Sequence, residues 1–238
     1  MYSFNSRIRY SEVNAQKQLD IAGIINYFQD CSTFHSEDIG IGIEYLEEQN
    51  KVWVVTNWHL KIARLPNLGE EILVSTWPYS FNSMLGYRSF TMTDAKGELV
   101  AAANSIWVLI DTKKQRPTRT NTISVEKYVL EEAYPMEDDK RKLEVPAQYV
   151  EEESFVVIKG NLDSNHHVNN GQYIKMAIEY LPAGFIIRDV LVEYKKSAIL
   201  GDTICPLVSL TEEKCTIVLA GIDHVPYCIL EFRGSSSN

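Results

Sequence analysis

The chain has 238 residues, of which 45% are apolar, 11% aromatic and 23% charged, which excludes a disulfide-stapled miniprotein and wholesale disorder and suits one large core or two small ones. Its net charge of −9 excludes a general nucleic-acid binder, which needs basic surface to displace counterions. No apolar run approaches the roughly 20 residues of a membrane helix, and Met1 to Arg7 has no apolar signal-peptide core, so a cytoplasmic location is expected.

Ile21, Ile24, Ile25 and Phe28 fall at the spacing of one helical face, predicting a helix from about Asp20 to Asp38 that Gly40 and Gly42 stop. Strand-like runs follow at Val52–Val55, Trp58–Ala63, Ile72–Trp77, Gly86–Thr93 and Leu99–Ile110, with turn signals at Pro66–Gly69 and Asp94–Gly97. Residues 126–153 then hold ten acids against four bases, with Pro135 and Pro146 and no glycine, which predicts a solvated acidic linker. It divides the chain into a first repeat at 1–125 and a second at 154–238.

The second part predicts a strand at Ser154–Ile158 and a helix marked by Tyr173, Ala177, Ile178 and Leu181 and closed by Pro182 and Gly184. Strands are predicted again at Ile187–Lys196, Thr203–Leu210, Cys215–Ala220 and Cys228–Phe232. A shift of 132 residues lays Leu60–Val74 over Val192–Pro206, matching Gly69 with Gly201, Glu70 with Asp202 and Ile72 with Ile204. The repeated order of strand, helix and antiparallel strands predicts a duplicated α+β unit. Cys31, Cys205, Cys215 and Cys228 form no C-x-x-C pair and read as buried free thiols, so no metal site is expected.

The densest polar cluster runs from Asn161 to Asn170, just before the second helix. A helix start offers backbone N–H groups and the positive end of the dipole, both suited to an oxyanion. Asp163, Asn165 and His167 alternate, so in an extended segment they would project together and supply parts for activating water. Helix capping explains one or two of these residues, but not two histidines and four asparagines in ten positions. His166 would face away and is given a structural or solvent role.

Asp163-Ser-Asn165-His-His167-Val168-Asn169-Asn170-Gly-Gln-Tyr173 resembles the D-x-N-x-H-V-N-N-x-x-Y motif of the plant and bacterial acyl-acyl carrier protein thioesterases. Further stretches resemble that family in order, among them Ile8–Val13, Asn26–Asp30, Trp53–Val55, Arg64–Pro66, Arg88–Phe90, Ser105–Val108 and Arg116–Arg119, so the likeness covers nearly the whole chain. The resemblance implies a tandem (double) hotdog fold, each unit a long helix wrapped by a curled antiparallel sheet. It also implies release of free fatty acid from acyl carrier protein (ACP), with Asp163, Asn165 and His167 as catalytic residues and no cofactor.

The family's E-Y-R-R-E-C stretch falls on Glu193–Ala198. Ala198 rules out a cysteine nucleophile there, and Ser197 stands at the family's second glutamate, making it a possible active-site position. Glu193, four residues away at about 3.3 Å each, is too distant to substitute, which leaves Asp163, with or without His167, as proton acceptor and Asn165 to position water. Phe28, Trp53 and Trp77 are candidates to line an acyl slot, with core packing the plainer reading for each. An acidic carrier requires a basic patch, for which Lys113, Lys114, Arg116, Arg119, Lys195 and Lys196 are candidates. Two other readings stay open: an acyl-coenzyme A thioesterase of the same fold, and a non-catalytic acyl or acyl-carrier binding protein. A homodimer is a further possibility.

Overall fold

The computed structural model describes residues 1–137, 141–163, 165–212 and 214–236, and the chain splits into two compact units, Met1–Asp138 and Asp139–Asn238. The split falls inside the acidic stretch, whose Asp138, Asp139 and Lys140 lie outside the described residues, as does Ser164 of the motif.

The first unit contains β1 (Tyr2–Arg7), α1 (Ile21–Asp38), α2 (Ile43–Glu48), β2 (Lys51–Ile62), β3 (Glu71–Asn82), β4 (Leu85–Asp94), β5 (Leu99–Asp111) and the short β6 (Arg116–Pro117). Its antiparallel sheet has the order β1-β3-β4-β5-β2, with β6 on β5. Asp20 caps α1 by accepting the Gly23 N–H at 2.7 Å, and the face bearing Ile21, Ile24, Ile25 and Phe28 is buried as its spacing requires. Phe28 stacks on Trp58 and Phe90, with ring centroids 6.4 and 5.2 Å away. The two runs expected at Val52–Val55 and Trp58–Ala63 form one strand, because a bulge between Val55 and Asn57 absorbs the break in alternation. Pro78 is tolerated inside β3 because β1 pairs only as far as Thr76.

The second unit contains β7 (Val150–Glu151), β8 (Phe155–Val156), α3 (Asn170–Ile178), β9 (Phe185–Tyr194), β10 (Thr203–Leu210), β11 (Lys214–Ala220) and β12 (Pro226–Ser236). Its order is β9-β12-β11-β10-β7, with β8 on β10, all antiparallel. Matching β2, β3, β4 and β5 with β9, β10, β11 and β12 makes the two topologies the same, the hotdog arrangement built twice. α3 has 9 residues against 18 in α1, since Pro182 and Gly184 follow closely. The expected strand at Ser154–Ile158 pairs only at Phe155–Val156, after which Lys159–Asn161 forms a 3₁₀ turn.

The turn before β3 recurs before β10. Gly69 and Gly201 both adopt left-handed φ, 80° and 87°, a region where glycine alone carries no side-chain cost. In the first turn the Glu70 carboxylate accepts the Asn67 N–H at 2.8 Å; in the second the Asp202 carboxylate accepts the Ile199 N–H at 3.0 Å. All four cysteines are buried and unpaired. Among the described residues no helix is long and apolar enough to cross a membrane, and no group of three His, Cys, Asp or Glu side chains is placed to hold a metal ion.

One buried polar group in the first unit makes stability depend on pH. Arg88 Nη1 lies 3.1 Å from His35 Nδ1 and donates to Thr76 Oγ1 at 3.2 Å, while its guanidinium sits 5.1 Å from the centroid of the Tyr128 ring. Burial, aided by Arg88 and the N-terminal ammonium and opposed by Asp38 and Glu131, pushes the His35 imidazole down to about 4. The folded chain therefore binds fewer protons here than the unfolded chain, and stability falls as pH drops from about 6.5 to about 4. The expected loss is no more than about 3 kcal/mol. Urea midpoints measured across that window should fall in the parent, and much less in His35→Gln.

Candidate active site

The Asn161–Asn170 cluster folds as a tight loop, not as the extended segment expected from its alternating pattern. Leu162 bridges Val168 in antiparallel register, and the Asp163 N–H donates to the His167 carbonyl at 2.8 Å. His166 has φ 60°, and its N–H returns to the Asp163 carbonyl at 3.1 Å. The chain thus reverses between residues 163 and 167. Asp163 and His167 become opposed partners across the turn, with Asn165 exposed at its tip.

The Asp163 carboxylate holds this turn. Its Oδ1 accepts the Asn165 N–H at 2.8 Å and the His167 N–H at 3.3 Å. This is an Asx-type turn, in which the carboxylate supplies contacts a longer chain reversal would otherwise draw from backbone. Asp163 is half-buried, while Asn165, His166 and His167 are exposed.

Helix capping takes up several of the polar groups. Asn169 caps α3, its side chain accepting the Gly171 N–H at 2.8 Å, and its own N–H donates to the Asn161 carbonyl at 2.9 Å. The Gln172 N–H is bound to the Asn169 carbonyl at 2.9 Å and the Val168 N–H to the Ala198 carbonyl at 2.9 Å. At the start of α3 the N–H groups of Gly171 and Gln172 are thus engaged within the helix cap, and the loop presents the exposed Asn165 amide as a further donor.

The segment after β9 supports the loop from the side. Ala198 is fully buried; its N–H donates to the Tyr173 hydroxyl at 2.8 Å, and its carbonyl receives Val168. Burial pushes the Tyr173 hydroxyl well up from its usual range, so it serves here as a neutral acceptor. The Tyr194 hydroxyl, its pKa raised by burial, donates to the Asn170 carbonyl at 3.0 Å. His167 bridges Ile199, a register that sets exposed Ser197 across from Asn169, beside the loop.

Glu193 lies elsewhere in function. Its buried carboxylate accepts the Leu143 N–H at 2.7 Å and the Lys195 ammonium at 2.6 Å, fastening Leu143 into an apolar cluster with Leu191, Leu207, Val218, Ala220 and Ile229. Glu193→Ala strands a buried N–H and is expected to cost about 1–3 kcal/mol, read as a lowered urea midpoint, with Glu193→Gln milder because an acceptor remains. Lys195 is thereby engaged, while its neighbour Lys196 lies 5.5 Å from the Tyr227 ring centroid and forms no ion pair among the described residues. Arg116 and Arg119 lie in the first unit, on β6 and just after it. The aromatic candidates for a slot are packed: Phe28 is fully buried, Trp77 donates its Nε1–H to the Glu132 carbonyl at 2.7 Å, and Trp53 lies 6.1 Å from Phe81.

The first unit carries a second copy of the loop, with side chains too different for residue types to signal it. Val13 bridges Leu19, the Asn14 N–H donates to the Gln18 carbonyl at 2.9 Å, and Asn14 Oδ1 accepts the N–H groups of Gln16 and Gln18, each at 3.0 Å. Lys17 has φ 61°, matching His166, and Asp20 caps α1 as Asn169 caps α3. A shift of 149 residues lays Asn14, Gln16 and Gln18 on Asp163, Asn165 and His167. The first loop has the same backbone with amides in place of the carboxylate and imidazole, so it has no group able to take a proton near neutral pH.

The profile of the acyl-ACP thioesterase N-terminal domain matches residues 1–128, and that of the acyl-ACP thioesterase C-terminal domain matches residues 145–223. The chain is 24% identical over 231 residues to oleoyl-acyl carrier protein thioesterase 1 of Arabidopsis thaliana, covering 87% of this chain and 63% of that protein. Against the palmitoyl-acyl carrier protein thioesterase of the same plant, identity is 25%, covering 87% of this chain and 54% of the relative, so this chain spans little more than half the length of such relatives. Among solved structures, an acyl-ACP thioesterase from Bacteroides thetaiotaomicron superposes with a TM-score of 0.88 at 22% identity, covering 97% of this chain and 96% of that one. The 12:0-ACP thioesterase from Umbellularia californica superposes with a TM-score of 0.82 at 19% identity, covering 97% and 96%. With the fold duplicated, the loop in place and both domain profiles matched in order, the chain belongs to the acyl-ACP thioesterase family.

Proposed function

We propose that this protein hydrolyses the thioester of a fatty acyl chain carried on acyl carrier protein, releasing the free acid. The observation that carries the reading is the loop before α3, which opposes Asp163 to His167 and presents the Asn165 amide at its tip. Water attacks the thioester carbonyl carbon while Asp163 or His167 takes one of its protons. The Asn165 amide holds the water or the developing oxyanion. The C–S bond then breaks, the carboxylic acid forms, and the stored proton returns to the departing carrier thiolate. No step needs an oxidant, a reductant or a covalent enzyme intermediate, which accords with alanine at position 198.

The plant relatives named for acyl-carrier-protein substrates support the choice of carrier, and the unpaired, buried thiols support a reducing compartment such as the cytoplasm. The test is release of free acid from a panel of ACP and coenzyme A thioesters by the parent and by Ser197→Glu. Carrier-selective turnover by the parent is expected, without the second carboxylate. Selective turnover of the coenzyme A thioesters would overturn the carrier assignment. An inert parent that binds acyl carrier tightly, with turnover regained in Ser197→Glu, would make the chain a binding protein.

A further inference from the structure

Four aliphatic side chains stand exposed beside the loop before α3, all within the second unit: Ile158 is 62% exposed, Val156 53%, and Ile199 and Leu200 49% each. Backbone register groups them. Val156 pairs with Thr203 across β8 and β10; the Val157 N–H donates to the Asp202 carbonyl at 2.9 Å, and the Val157 carbonyl accepts the Gly201 N–H at 3.1 Å. Two residues thus oppose Val157, which brings Ile158 level with Leu200. Val157 itself is buried, so alternation turns Val156 and Ile158 outward together.

The patch is joined to the loop from both sides. Ile199 bridges His167, and the Ala198 carbonyl accepts the Val168 N–H at 2.9 Å. On the other side the Ile158 N–H donates to Asn161 Oδ1 at 3.0 Å, the Asn161 N–H returns to the Ile158 carbonyl at 3.0 Å, and the Asn161 carbonyl accepts the Asn169 N–H at 2.9 Å. The turn that carries Leu200 is fixed by the Asp202 carboxylate, which accepts the Ile199 N–H at 3.0 Å and the Tyr227 hydroxyl at 3.1 Å. Single exposed aliphatics need no explanation, but a contiguous group of them bordering a polar loop marks a contact surface.

We propose that this patch receives the pantoyl dimethyl group of the pantetheine arm that carries the thioester. The inference rests on the thioesterase reading above and names the part of the substrate that this surface grips. Distance selects the arm. In pantetheine the dimethyl carbon lies ten bonds from the sulfur, about 12 Å when extended. From His167 the path across to Ile199, on to Leu200 and across to Ile158 covers roughly 10–14 Å, which places the dimethyl group where Leu200 and Ile158 meet. The folded body of a carrier protein begins beyond the far end of the arm. A long acyl chain is the poorer fit, because on half-exposed side chains it stays half wet, whereas the arm keeps its amides in water and has only the dimethyl group to shelter.

The test compares acyl-pantetheine with the acyl thioester of N-acetyl-β-alanylcysteamine, which keeps both amides and lacks the pantoyl group, on the parent and on Ile158→Ser/Leu200→Ser. Both positions are exposed, so the serines leave the fold in place. The parent is expected to favour acyl-pantetheine by about tenfold in kcat/KM, carried by KM, and the serine variant to bring that ratio near one. Ile158→Val/Leu200→Met, which keeps the aliphatic surface, should keep most of the preference. ACP and coenzyme A thioesters share the arm, so KM for both should rise in the serine variant. Equal rates on the two small substrates by the parent, or an unchanged ratio in the serine variant, overturns the proposal. Loss confined to ACP thioesters would assign the patch to the carrier's protein surface, and a parent dimer that the serines dissociate would assign it to a second copy of this chain; either overturns it. If the parent cleaves no thioester, the hydrolase reading falls, while calorimetric binding of the uncleaved acyl-pantetheine against its truncated analogue still decides the patch.

Discussion

His167→Ala is expected to lower kcat on acyl-carrier thioesters by about 10²–10⁴-fold while leaving the thermal midpoint within about 1 °C of the parent. The two halves of this expectation have separate physical grounds. The imidazole is exposed, and among the described residues His167 serves the fold through its backbone: its N–H to Asp163, its carbonyl to the Asp163 N–H and its bridge to Ile199. Removing the ring therefore takes away a proton acceptor without unpicking the loop. His166→Ala is the matched control: that ring is also exposed, but φ of 60° places it at the bend of the loop rather than opposite Asp163. Its replacement should change kcat by less than about threefold, within the range of an exposed surface substitution. Equal rates for His167→Ala and the parent would remove the imidazole from the chemistry.

Much of the fold was legible because burial imposes its own period. The α1 face was readable from Ile21, Ile24, Ile25 and Phe28, and β10 to β12 from short apolar runs, β-branched in β10 and β11 and Tyr227 to Phe232 in β12, since both patterns follow from which side meets the core. Less legible were elements whose stability is tertiary. β1 is a polar-alternating strand, Tyr2 to Arg7, that exists because β3 offers it an edge; α2 is one short turn and a half; and β7 and β8 are two residues each. The site shows a sharper divide. Residue types announced Asp163, Asn165 and His167, but alternation gave the wrong geometry, because a side-chain acceptor at Asp163 stabilises a reversal that periodicity cannot register. The twin loop at Asn14 escaped for a related reason: what is repeated there is a hydrogen-bond pattern, with the chemically telling side chains replaced.

That twin loop makes Asp163→Asn the most informative substitution at the site. In the first unit an asparagine already performs the structural half of the task, Asn14 Oδ1 accepting two backbone N–H groups as Asp163 Oδ1 does. Asp163→Asn should therefore keep the turn, with amide hydrogen-exchange protection at residues 165 and 167 close to the parent, and lose only the charge. A fall in kcat of at least about 10²-fold is expected, because an amide neither accepts a proton nor holds an imidazolium beside it. Asp163→Ala removes the acceptor as well, so it should match that loss of rate and also cost about 1 kcal/mol of stability, seen as faster exchange across the loop. The reverse change supplies the remaining arm. Asn14→Asp places a carboxylate in the first loop opposite Gln18, which has no imidazole, and should leave kcat as it is in steady-state release of free acid. Parent-like kcat in Asp163→Asn would reduce the carboxylate to a loop clasp and leave His167 as the sole proton acceptor.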